Sequence, residues 1–221
     1  MAKSPLTGAH KSFERHGLPL IVAAFCFIVM WSDLVHSPSI DETAHLPAGI
    51  SHWQLGHFDL YAVNPPLVRM VATMPVLVLP KVTDWSGYSN IAAERSEFPI
   101  GRQFVANNRG WSMCLYSIAR IWLIPVYILG VVLCRTWATE TTSATCGAIA
   151  ARLYCCSTTV IANGGMLTPD LSSAVAGGWA LWFVRSWLRS RDWLLASCIG
   201  FLLGIALLTK FPARASPATR R

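Results

Sequence analysis

The sequence predicts an all-α integral membrane protein of about five transmembrane helices, with a long external first loop that carries short interfacial helices. Three observations point there. Of the 221 residues, 53% are hydrophobic and only 13% charged, about half the charged share of an ordinary globular chain. The apolar residues are gathered into long blocks instead of recurring at core spacing. A polar stretch of about seventy residues separates the first block from the second, far more than a connection needs. A soluble fold does not fit this pattern.

The net charge of +7 could suggest a nucleic-acid partner. The distribution argues against one: Lys11, Arg15, Arg135, Arg185, Arg189 and Arg191 sit at the ends of apolar blocks, where they orient a membrane protein. The seven cysteines all fall in or beside apolar blocks, in no metal-binding spacing, so they read as core residues.

In chain order, residues 1–17 form a cytoplasmic tail, held inside by Lys3, Lys11 and Arg15. The first span covers 18–35, with Asp33 as its one charge. Its helical length of roughly 27 Å suits a slightly thin bilayer. Val35-His36-Ser37 is followed by Pro38, a poor cleavage site, so the span reads as an uncleaved anchor. The external loop takes 36–110. Four further spans follow at 111–134, 144–166, 171–188 and 193–209, the second interrupted by Arg120 and Pro125 and the third diluted by Arg152. Alternation from a cytoplasmic N-terminus puts Arg135, Arg185, Arg189 and Arg191 inside, as the positive-inside bias requires. The expected home is a bacterial inner membrane. Residues 211–221 turn abruptly small, Pro-containing and basic, a disordered or out-of-frame tail.

The external loop concentrates the chemistry: Asp41, Glu42, Asp59, Asp84, Glu94 and Glu97 lie there, with His45, His52 and His57. Ser39-Ile40-Asp41-Glu42 has the form of a capping box, so a helix is expected just past the membrane exit, kinking at Pro47 after one or two turns. Glu42 would cap that helix, or act with Asp41 in catalysis. On a helix His45 shares a side with both carboxylates, and Glu42 with His45 could hold a divalent metal; no other cofactor is indicated. Asn64-Pro65-Pro66-Leu67-Val68-Arg69 opens a second helix. Leu67, Met70, Val71, Met74, Leu77 and Val78 share its apolar face, while Arg69 and Thr73 face away. That pattern fits a helix lying in the interface, with Arg69 at headgroup depth either snorkelling or clamping a lipid-linked phosphate. Asp170, in the turn Thr168-Pro169-Asp170, would cap the fourth span and stands on the same membrane face as Asp41.

Together these stretches resemble the GT-C class of membrane glycosyltransferases, and are similar to the family 39 protein O-mannosyltransferases and their bacterial relatives. Asp41-Glu42-Thr43-Ala44-His45 resembles the Asp-Glu motif after the first span. Asn64 to Arg69 resembles a His-Pro-Pro-Leu-x-Lys motif, with Asn64 in place of the histidine and Arg69 in place of the lysine. Asn163 to Asp170 resembles a Thr-x-Asp turn, and Gly204 to Phe211 a Gly-x-Ala-x-x-x-Lys-Phe stretch. The resemblance covers residues 15–211 and looks like the N-terminal portion of a longer enzyme. It implies transfer of a sugar from a polyprenyl-phosphate carrier to a hydroxyl of a lipid, glycan or protein on the extracytoplasmic side, among membrane lipids. Asp41 would be the base, Glu42 its neighbour, and Asn64, Arg69, His45 and Asp170 would bind substrate. Two other readings stand beside it. A channel or transporter subunit would align Arg120, Arg152 and Asp170 along one polar path; an inactive fragment or small membrane scaffold would have no such site.

Overall fold

The computed structural model describes residues 6–89 and 95–210. The expected tail 211–221, Lys3 and Glu94 lie outside these. The described residues are helical without a strand: α1 (Leu6–Val35), α2 (Ile40–Leu55), α3 (Leu67–Leu77), α4 (Glu97–Ile121), α5 (Ile124–Thr141), α6 (Ala144–Cys156), α7 (Thr158–Gly164), α8 (Asp170–Ser190) and α9 (Trp193–Thr209).

Helix α1 begins at Leu6, well inside the predicted tail 1–17, and stays helical through Pro19. Its Gly17–Val35 portion is long and apolar enough to cross a membrane. The stretch Glu97–Thr141 also qualifies, and α6 with α7 makes a third candidate if this pair, bent by 56°, is one span. Large apolar side chains stand exposed on α1, α8 and α9, among them Leu20, Phe27, Trp31, Leu181, Trp193 and Phe201. Such a surface is stable against lipid and not against water, so the protein is membrane-associated.

Helix α2 starts with the capping box expected from Ser39 and Glu42: the Ser39 N–H donates to Glu42 Oε2 at 2.8 Å, and the Glu42 N–H donates to Ser39 Oγ at 3.4 Å. It does not end near Pro47 but runs to Leu55, closed by Gly56 in the left-handed region at φ 70°. Proline leaves the carbonyl four residues back without its helical partner. That carbonyl belongs to Thr43, and the Tyr116 hydroxyl of α4 donates to it at 3.4 Å. Gly101 of α4 faces the same carbonyl, with no room there for a Cβ.

Helix α3 departs from the expected orientation. Arg69 and Thr73 are its buried residues, with Val68, Ala72 and Val76, and they pack on α2. A Cβ at Gly49 would come within 2.6 Å of the Arg69 carbonyl oxygen and of Thr73 Cγ2. The polar stripe faces protein because the lipid-like face opposite leaves it nowhere else to find hydrogen bonds.

The predicted second span, 111–134, is not one helix. Helix α4 begins at Glu97, kinks at Arg109 (φ 43°, ψ −128°) and ends at Ile121; α5 starts afresh at Ile124, with Pro125 in its first turn. Ser117 and Arg120 donate to backbone carbonyls of Asp33 and His36, so the end of α4 lies level with the end of α1. Asn108 and Trp111 bond to the chain at Val82 and Pro80. The first half of that block therefore covers α2 and α3, and α5 carries the rest.

Beyond α5 the chain makes two hairpins. Helices α8 and α9 form the second, and the Lys210 ammonium at its end pairs with the Asp170 carboxylate at its start. At the opposite end Arg185 meets Glu140 at 3.2 Å. One apolar core joins α1 to α6 and α8 around Phe25, Leu46, Leu115, Tyr116, Leu123 and Tyr127. A smaller one holds Ala44, Ala48, Leu60, Tyr61 and Ile100 under the outer loop. All seven cysteines are free.

Candidate functional site

Glu42 is the centre of the layer built by α2, α3 and α4, and it is 1% exposed. Oε1 accepts from Arg120 Nε at 2.7 Å and from the Leu167 N–H at 2.6 Å. Oε2 accepts from Arg120 Nη2 and from the Ser39 N–H, each at 2.8 Å. The side chain thus ties α2 to α4 and to the 165–168 turn. Burial pushes its carboxyl up, but Arg120 and the two backbone donors outweigh that and hold it below the usual carboxylate range. Both oxygens are saturated, which leaves Glu42 no free lone pair for a proton or a metal. The expected catalytic or metal-binding Glu42 is here a structural staple, and Arg120, placed by sequence in a polar path, is its partner.

Asp41 differs from its neighbour. It lies in the first turn of α2 with an exposed side chain and accepts no side-chain hydrogen bond among the described residues. Its charge reaches Tyr61 and Arg95. Its carboxylate is therefore open to an incoming ligand, where that of Glu42 is not.

Arg69 is 2% exposed. Nη1 donates to the Tyr61 carbonyl at 3.1 Å, and Nη2 donates to the carbonyls of Asn64 and Pro65. Its guanidinium stacks on the Tyr61 ring, 4.3 Å from the centroid. So it neither snorkels to headgroup depth nor sits open as a clamp. Burial lowers it to about 10, which leaves it charged at neutral pH. Among the described residues no carboxylate forms an ion pair with it. Asn64 contributes its backbone oxygen to Arg69, while its amide donates to the Tyr61 hydroxyl at 3.5 Å.

These pieces meet. A closed seam, too tight for a water molecule, is lined by His45 from α2, by Pro65, Val68 and Arg69 at the start of α3, and by Leu167, Thr168 and Pro169 of the turn before α8. His45 is 4% exposed and lies against Tyr61, ring centroids 4.7 Å apart. Burial, then the Arg69 charge, lowers it to about 4, so it is a neutral imidazole at pH 7. The Thr168 hydroxyl is buried without a hydrogen-bond partner. Asp170 stands at the rim, where its charge reaches His45; it does not cap α8, whose N-cap is Pro169, but pairs with Lys210. The seam therefore brings together a fixed cation, whose donors are spent on carbonyls, a neutral imidazole and an unpartnered hydroxyl.

Among the described residues no group of three or more His, Cys, Asp or Glu side chains is placed to hold a metal. Of the expected Glu42 and His45 pair, only His45 keeps free nitrogens. Nor does any described cavity bring Arg120, Arg152 and Asp170 together. Sequence reasoning missed the Glu42–Arg120 staple and the Thr168 hydroxyl; a lone arginine inside an apolar block was the available signal for the first. Searches of family models, of characterised proteins and of solved structures find no match to this chain.

Proposed function

We propose that the chain is a membrane glycosyltransferase that moves a sugar from a polyprenyl-phosphate carrier to an acceptor hydroxyl at the outer membrane face. The observation that carries this reading is that His45, Arg69 and Thr168, from three stretches far apart in sequence, line one seam, with Asp170 within electrostatic reach of His45 and paired with Lys210. On this reading the chain crosses five times, by α1, α5, the α6–α7 pair, α8 and α9, and these residues share one side.

The chemistry follows from the residues. Asp41 takes the proton of the acceptor hydroxyl, and the oxygen attacks the anomeric carbon opposite the phosphate, so configuration inverts. The departing phosphate gains negative charge beside Arg69, the His45 N–H and the Thr168 O–H. Arg69 acts through its field, because its donors are committed to carbonyls. Asp170 and Lys210 form the rim over which the carrier enters.

The test is transfer from a synthetic polyprenyl-phosphate hexose by the protein in proteoliposomes, with Asp41→Asn as the variant. Loss of a positioned base lowers turnover by roughly 10²- to 10⁴-fold. The exposed site predicts an unchanged melting temperature. Equal turnover in the variant rejects Asp41 as base; absence of transfer in the parent protein rejects the reading itself.

A further inference from the structure

Asp33 is the one acid within the expected first span, 18–35, the proposed chemistry leaves it unused, and its surroundings are unusual. The side chain is 0% exposed, and neither carboxylate oxygen has a hydrogen-bond partner. The groups facing it come from every element packed around it. Its own helix supplies Ser32 and His36, and those two bond to each other at 3.1 Å. From α2 comes Glu42 and from α4 Arg120, both within electrostatic reach. The Ser117 hydroxyl donates to the Asp33 backbone carbonyl at 2.7 Å and not to its side chain. From α5 comes Tyr127, fully buried with an unpartnered hydroxyl and within reach of the Asp33 charge. The end of α7 and the residue after it contribute only Gly164 and Gly165, whose backbone packs closely here: a Cβ on Gly165 would lie 2.7 Å from Ser32 Oγ and 3.7 Å from Asp33 Oδ1.

Arg120 cannot neutralise Asp33. Nε and one Nη2 hydrogen serve Glu42, the other Nη2 hydrogen serves the Ser37 carbonyl, and Nη1 serves the carbonyls of Asp33 and His36. All five donors of the guanidinium are spoken for. Two carboxylates then share one cation, which leaves one negative charge unmatched in a buried setting at the membrane boundary. Such a charge is retained only with a counter-charge.

We propose that Asp33, with the Tyr127 hydroxyl, holds one further positive charge, either an alkali cation or a proton, behind the Glu42–Arg120 pair. This charge sits at the joint between α1, α4, α5 and the 164–165 turn, so its loss loosens the frame of the outer site.

The experiment is thermal unfolding of the purified full chain in detergent. Two series are read: sodium or potassium chloride against choline chloride at constant ionic strength, and pH 5 to 8 in choline, each as the difference between the parent and Asp33→Asn. An alkali cation raises the melting temperature by roughly 5 to 10 °C at about a hundredfold its dissociation constant, and Asp33→Asn removes the response. A bound proton gives no salt response but a fall in melting temperature as pH rises, again absent in Asp33→Asn. A parent protein indifferent to both series, or an Asn variant with the parent's responses, overturns the proposal. If the Asn variant does not fold, Tyr127→Phe reads the same site: a weakened response upholds it and an unaltered response overturns it.

Discussion

Replacing Glu42 by Gln tests the frame of the outer site directly. The change keeps the shape of the side chain and removes the only negative charge that Arg120 touches. Both side chains are 1% exposed, so solvent does not screen the loss. Breaking one side of a buried ion pair costs about 3–5 kcal/mol, because the remaining charge stays desolvated without its partner. In a chain of this size each kcal/mol moves the melting temperature by about 2–4 °C, which gives a fall of roughly 6–20 °C. The assay is thermal unfolding in detergent, followed by circular dichroism. Combining Glu42→Leu with Arg120→Met removes both charges and recovers part of the loss, leaving the Ser39 and Leu167 N–H groups and the Asp33, His36 and Ser37 carbonyls as the residual cost. Acid gives a second readout. The Glu42 carboxyl lies below its usual range, so its contribution is present above the unfolded value near pH 4.3 and disappears as pH falls through the lower folded value. A Glu42→Gln protein that melts within about 2 °C of the parent refutes the staple.

Two further outcomes are expected. His45 and His52 are each lowered to about 4, burial being the largest cause, so both fold as neutral rings. Unfolding lets them protonate near 6.5, and stability therefore falls between pH 6.5 and 4, by on the order of 3 kcal/mol for each ring. His52→Asn, which keeps a donor for the His57 carbonyl, flattens that limb in a melting-temperature profile; an unchanged slope contradicts the assignment. Gly101→Ala drives a Cβ onto the Thr43 carbonyl oxygen and forces α2 and α4 apart, costing about 1–3 kcal/mol. Gly110→Ala in the same helix meets nothing within 4 Å and serves as the control, with equal or higher stability.

Local chemistry was legible in the sequence. Ser39 and Glu42 announce the start of α2 because a capping box is a contact across three residues. The Pro65-Pro66 opening of α3 is equally local. The orientation of α3 was not legible. Periodicity separates an apolar stripe from a polar one, but in a membrane protein the apolar stripe faces lipid and the polar one turns inward. Arg69 was therefore placed at the headgroups when it is buried under Tyr61 and its carbonyls. The break at 122–123 was hidden for a related reason: hydropathy sums over the block 111–134 without registering that Arg120 is anchored to Glu42, 78 residues earlier.

Composition and spacing by themselves determined that this is an all-helical, membrane-associated chain whose polar groups gather in the first long loop. Those properties depend on averages and on contacts within a few residues. Only the tertiary structure decided which of two adjacent carboxylates is saturated and which is open, since that depends on a guanidinium and a backbone amide brought from α4 and from the turn before α8. It also decided that His45, Arg69 and Thr168 line one seam. Distances between groups separated by a hundred residues are set by helix packing, and no one-dimensional pattern carries them.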